Sequence, residues 1–167
     1  TALLAVNITE FGIPIADDGV NRITLLDGQD WNDDGVWTWS PWLDEYLAAG
    51  PMLLFGETTS AARLPFVLFG AASVAFIMLL AFRLYGTHTA AVTAGILLLS
   101  CVPFLLHARQ SRYYAVLFFS QLWLLWGLRD LLIGKTARGT LHSGFALVAQ
   151  FYCNYIAVAG NVLALGF

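Results

Sequence analysis

The chain has 167 residues, 59% of them hydrophobic and 11% charged, with a net charge of −3 and a mean hydropathy of +0.71. Soluble domains carry about a quarter charged residues, so this composition excludes an ordinary soluble globular domain and offers no surface for a nucleic-acid partner. Charge is also lopsided: ten of the eleven acids fall in the first 57 residues, and after Glu57 only Asp130 remains.

An acidic, polar front of residues 1–64 comes first. The opening fifteen residues are interrupted by Asn7, Glu10 and Pro14 and are too short to span a bilayer. Asp17-Asp18-Gly19, Asp27-Gly28 and Asp33-Asp34-Gly35 are turn signals. Trp31, Trp37, Trp39 and Trp42 crowd into twelve positions. Such a cluster suits a segment lying on lipid headgroups, or equally a small aromatic core within the loop. Ser40-Pro41 predicts a helix start, with Asp44 and Glu45 in its first turns, where the helix dipole favours acids. Gly50-Pro51 predicts its end. Another helix is expected from Thr58, running through Pro65 into the first membrane span.

The remainder, residues 65–167, reads as transmembrane. Stretches of about 20 apolar residues are needed per span, and four are expected, at about 65–82, 89–106, 113–128 and 143–167. Cys101 and Cys153 lie in these runs and read as small buried residues; no metal-ligand spacing occurs. Gln150, Asn154 and Asn161 are spaced to share one stripe of a single last helix, as packing groups or as the lining of a cavity. One side of the membrane would hold Arg83, Arg129, Lys135 and Arg138, the other Arg22, Arg63, Arg109 and Arg112. The first set sits in short loops, which by the positive-inside tendency places the 1–64 loop outside. The fold expected is all-α and integral to a membrane: about four spans plus a long outer loop with short interfacial helices.

Between the second and third apolar runs stands His107-Ala108-Arg109-Gln110-Ser111-Arg112-Tyr113-Tyr114. Two arginines belong at a membrane surface or a wet cavity, where an anion is their natural partner. Phosphate binding, salt bridges to the acidic loop and interface anchoring are all open to Arg109 and Arg112. If the third helix begins there, their spacing puts them on one face. Tyr113 and Tyr114 are hydrogen-bond donors or interface anchors, and His107 is a further phosphate contact or a surface histidine. Asp33, Asp34, Asp44 and Glu45 are the carboxylates available to take a proton from an acceptor hydroxyl, or are simply solvated loop and helix-start acids. Asp33 and Asp34, beside the tryptophans, are preferred for contacting sugar or acceptor. No metal and no cofactor are expected.

Ala62-Arg63-Leu64-Pro65 with Phe69-Gly70, Leu47-Ala48-Ala49 with Leu54-Phe55-Gly56-Glu57, and Arg109-Gln110-Ser111-Arg112-Tyr113-Tyr114-Ala115 occur in this order. Together with Asn7-Ile8 and Gly12-Ile13-Pro14, this set resembles the GT-C glycosyltransferases that use polyprenyl-phosphate sugars, such as protein mannosyltransferases and aminoarabinose transferases. The resemblance implies a larger multi-span, inverting enzyme of the cell envelope, in a bacterial plasma membrane. It would move a hexose or pentose from a polyprenyl phosphate to a lipid, glycan or protein acceptor on the outer face. It also implies that the main catalytic Asp, of an Asp-Glu pair, lies before Thr1, so that this chain is a piece of a longer protein. A second acid that some members carry is replaced here by Tyr114, and a family histidine segment appears as Cys153-Asn154-Tyr155. A transporter or flippase of anionic lipids or solutes, or a non-catalytic membrane subunit, are the alternatives.

Overall fold

The computed structural model describes residues 2–24 and 27–166. Their regular structure is helical: α1 (Ala2–Phe11), α2 (Leu43–Phe55), α3 (Thr59–Tyr85), α4 (His88–Leu99), α5 (Val102–Ala108), α6 (Tyr114–Leu132), α7 (Thr136–Cys153) and α8 (Tyr155–Leu165). No β-strand forms among the described residues, only three isolated bridges between Ile15 and Trp37. The chain divides into two compact units, Thr1–Pro65 and Phe66–Phe167.

In unit 1, α1 and α2 pack together, and the segment between them folds over a small core. Leu4, Ala16 and Trp37 are buried there, with Ile23, Trp31 and Trp42 against them. The indole N–H of Trp37 donates to Ser40 Oγ (2.9 Å) and that of Trp42 to the Trp37 carbonyl (2.8 Å). Three of the four clustered tryptophans thus build an aromatic core, and only Trp39 is left exposed. Because Ser40 is engaged with Trp37, it does not cap α2, which starts at Leu43. The helix also continues past Gly50-Pro51 to Phe55. An internal proline costs about 3 kcal/mol, but Ala48, Ala49 and Met52 are buried on both sides of it and their packing offsets that cost. Gly56, at φ 84°, ends the helix. Thr58 then opens α3 by accepting the Ala61 N–H on its hydroxyl (3.1 Å).

Unit 2 holds most of α3 and all of α4–α8. At 27 residues α3 is about 40 Å long, more than the thickness of a hydrocarbon core. Helices α3 and α6 are long and apolar enough to cross a membrane, and α4 with α5 would make a third span if the pair counts as one. The expectation of four spans is therefore corrected to two or three. The 89–106 run breaks because Pro103 lacks the N–H that would continue α4, and Cys101 is extended (φ −78°, ψ 100°); the two axes differ by 70°. The 143–167 run breaks at Asn154 (φ −163°, ψ 104°), whose side chain accepts the Ile156 N–H (3.0 Å) and so caps α8. That leaves α8 too short to span and α7 too polar.

Large side chains join α3 to α6. Leu80, Leu122 and Trp126 form a buried cluster flanked by Phe76, Ile77 and Phe118, and Phe76 lies 5.2 Å from Trp126, centroid to centroid. Helices α6 and α7 instead meet through small residues. A Cβ on Gly127 would stand 2.7 Å from the Ser143 nitrogen, and one on Gly139 would stand 2.7 Å from the Leu131 nitrogen. Only glycine allows backbones so close.

Candidate functional site

The α5–α6 corner carries the polar cluster singled out by sequence. His107 lies in the last turn of α5, Tyr114 begins α6, and Arg109 and Arg112 lie on the turn between them, both exposed. Since α6 starts only at Tyr114, the arginines do not share a helix face as the spacing suggested. Three rings pack together next to them, tilted to one another: His107 against Tyr114 at 4.4 Å and Tyr113 against Tyr114 at 4.5 Å. Asp130, the one carboxylate of unit 2, pairs elsewhere, with Arg129 (3.4 Å) and Arg138 (3.1 Å). Within this unit the guanidiniums of Arg109 and Arg112 are open to an external anion.

Behind the corner lies a cavity of about 550 Å³, walled by α4, α5, α6 and α8. Leu98, Pro103, Phe104, Leu117, Phe118 and Ala157 make it apolar. His107 and Tyr114 line it on the corner side, and Gln121 and Asn161 add two amides. Cys101 also lines it and is exposed, contrary to expectation, whereas Cys153 is buried.

The amides belong to a network. Gln150 Nε2 donates to Gln121 Oε1 (3.1 Å), and Asn161 Nδ2 donates to Gln121 Oε1 (2.9 Å) and Gln150 Oε1 (2.6 Å). Gln121 Nε2 returns a bond to Asn161 Oδ1 (3.2 Å). Gln150 and Asn161 therefore meet across the α7–α8 break, not along one stripe, and Asn154 is a cap and no member of the network. Gln121 was not singled out from sequence. A lone amide in the third apolar run was the signal, since polar groups in such helices turn toward other helices.

Asp33 and Asp34 are exposed on a tight turn of unit 1. Asn32 builds that turn: its side chain accepts the N–H groups of Asp34 (3.2 Å) and Val36 (2.9 Å), and Gly35 donates to its carbonyl. The geometry gives both acids a turn role and no enclosing pocket. Asp44 and Glu45 differ sharply from the expectation of helix-start acids in water, for each is only 3% exposed. Burial first, then the charge of Asp44 and a hydrogen bond between the two side chains, push the Glu45 carboxyl up to about 9. Its Oε2 has no hydrogen-bond partner. The signal was present in the sequence: Glu45 stands three, four and seven residues before Ala48, Ala49 and Met52, on their buried stripe.

Among the described residues no group of His, Cys, Asp or Glu could hold a metal ion. No family model, curated protein or solved structure matches the chain. What the fold defines is a class: an all-helical protein with two to three helices that could cross a membrane.

Proposed function

We propose that the chain is the donor-binding part of a membrane glycosyltransferase that moves a sugar from a polyprenyl phosphate to an acceptor on the extracytoplasmic face. The protein then sits in a bacterial plasma membrane with residues 1–64 outside. One observation carries the reading: an apolar cavity of about 550 Å³ is lined by Ala108 and Tyr114, and the turn between those two residues bears two exposed arginines that the unit's only carboxylate does not neutralise. The cavity suits isoprene units, and planar guanidiniums suit a phosphate, which they grip in bidentate fashion. As the sugar leaves, charge grows on the departing phosphate, and fixed cations stabilise it where it forms. His107 and Tyr114, on the cavity wall, add hydrogen bonds at the same end.

The test is transfer of radiolabelled sugar from a panel of polyprenyl-phosphate donors by membranes carrying the protein. Arg109→Ala and Arg112→Ala are each expected to lower transfer by about a hundredfold, the usual loss for one group that stabilises developing charge. Transfer that survives both changes would remove the clamp.

A second reading, a transporter or flippase of anionic lipids or solutes, is favoured by the two helix breaks, at Cys101 and Asn154. Broken helices beside an amide-lined cavity are how many transporters build a binding site. Flux of an anionic lipid in proteoliposomes, without sugar transfer, would select it.

A further inference from the structure

A second cationic region stands where α3 and α6 end and α7 begins, at the other end of α6 from the α5–α6 corner. Four cations gather there, Arg83, Arg129, Lys135 and Arg138, against the single carboxylate of Asp130. Their proximity is explicit. The Arg83 guanidinium lies 4.1 Å over the Trp126 ring, and Arg129 donates to the Arg83 carbonyl (3.2 Å). Asp130, fully buried, pairs with Arg129 and Arg138.

Arg138 also points its Nε toward His142 Nε2 (3.3 Å), while Trp123 donates to His142 Nδ1 (2.9 Å). A neutral imidazole accepts at one nitrogen only. The shorter Trp123 bond fills that role and leaves Arg138 to Asp130. One acid therefore occupies two of the four cations, and Arg83 and Lys135 remain exposed.

The surroundings say what kind of anion fits. Leu84, Tyr85, Leu132 and Ile133 are exposed between these cations, Leu132 at 88%. The cations themselves sit in the last turns of the two helices best suited to cross a membrane, or just beyond them. A soluble phosphate would use the charges alone. A phospholipid uses both, headgroup on the cations and acyl chains on the apolar collar.

We propose that the α3–α6–α7 end is a binding surface for anionic phospholipid, with Arg83 and Lys135 on the phosphate and Leu84, Leu132 and Ile133 against the chains. This surface is separate from the cavity and does not depend on the sugar-transfer reading. A basic residue near an anionic membrane surface contributes about 1 kcal/mol, or roughly fivefold in affinity.

The experiment is native mass spectrometry of the full chain in detergent, offered equal amounts of phosphatidylglycerol and phosphatidylcholine. Phosphatidylglycerol adducts are expected to predominate. Lys135→Gln, on an exposed turn, should cut that excess about fivefold, and adding Arg83→Gln should cut it again by a similar factor. Arg22→Gln removes a charge in unit 1 and should leave it unchanged. Because Arg83 covers Trp126, the single Lys135 change decides the matter if the double variant fails to fold. Equal adducts of both lipids, or an excess indifferent to Lys135→Gln, would overturn the proposal. Displacement of phosphatidylglycerol by millimolar inorganic phosphate would also overturn it, by assigning the site to a free anion.

Discussion

Unit 1 gathers Leu4 and Trp37 into a core and leaves Asp33 and Asp34 in water, yet it also buries Asn7, Asp44 and Glu45 and exposes Leu53, Leu54 and Phe55; unit 2 buries Ser73, Ser120, Asp130 and Gln150 and exposes Leu97, Leu132 and Leu163. The first pattern is mixed: an aromatic core that removes apolar area from solvent, with acids buried outside it. The second suits hydrocarbon, where polar groups find partners inside and leucine costs nothing outside. The contrast extends to buried acids. In unit 1 burial, and after it the neighbouring Asp44 carboxyl, pushes the Glu45 carboxyl up to about 9. Asp130 lies between two guanidiniums, which balance it.

The largest effect that would break this comparison is expected at the α6–α7 contact. Gly127→Ala drives a methyl group into the Ser143 backbone, an overpacking that costs about 3 kcal/mol. Gly144→Ala, where nothing lies within 4 Å, should be neutral or slightly stabilising. Thermal unfolding in detergent reads both, and equal melting points would remove the close-packed hairpin from the account.

Next in size is the pH response of unit 1. The folded Glu45 pKa, about 9, lies above its ordinary value of 4.5. Between those values the unfolded chain loses a proton that the folded one keeps, so unit 1 loses stability as pH rises through that window. Urea unfolding followed by tryptophan fluorescence, at a series of pH values, should show this slope. Four of the six tryptophans are in unit 1. Glu45→Gln, which stays neutral, should flatten the slope, and a slope unchanged by it would place the titrating group elsewhere.

A smaller effect is expected from Gln121→Leu, which strips hydrogen bonds from Gln150 and Asn161. Such losses in membrane helices average about 0.6 kcal/mol each. The change should also make the cavity uniformly apolar at that wall. If Gln121 only packs helices, stability falls while polyprenyl-phosphate binding holds; if it touches the ligand, binding falls with it.

Which parts of this were legible in the residues follows from the kind of signal each left. The run at 65–82 is apolar, unbroken and long, the run at 113–128 apolar and unbroken but short, and they became α3 and α6. The runs at 89–106 and 143–167 look equally apolar, because one Pro103 or one Asn154 barely moves an average, yet each contributes to a break in hydrogen-bond continuity. The tryptophan cluster left two solutions open, since indoles suit both an interface and a core, and only the Trp37–Ser40 and Trp42–Trp37 bonds decide between them. Arg109 and Arg112 could be picked out as unusual in apolar surroundings. Their place on a turn, beyond the helix start, depends on where α6 nucleates, and Arg-Tyr-Tyr carries no capping residue to mark it. For Asp44 and Glu45 the obstacle is different: acids in a first helical turn fit the dipole, a signal that masks membership of a buried stripe.

The smallest expected effect on folding comes from the exposed turn of unit 1, and it is the sharpest test of where chemistry could reside there. Asp33→Asn with Asp34→Asn should change stability by less than about 0.5 kcal/mol, as for most surface substitutions, because Asn32 and Gly35 build that turn without either carboxylate. Any loss of sugar transfer in this variant would then report on the carboxylates themselves and not on a damaged fold. Circular dichroism unchanged with transfer reduced at least tenfold would make these acids direct contacts of sugar or acceptor. Unchanged transfer would leave them as solvated turn residues.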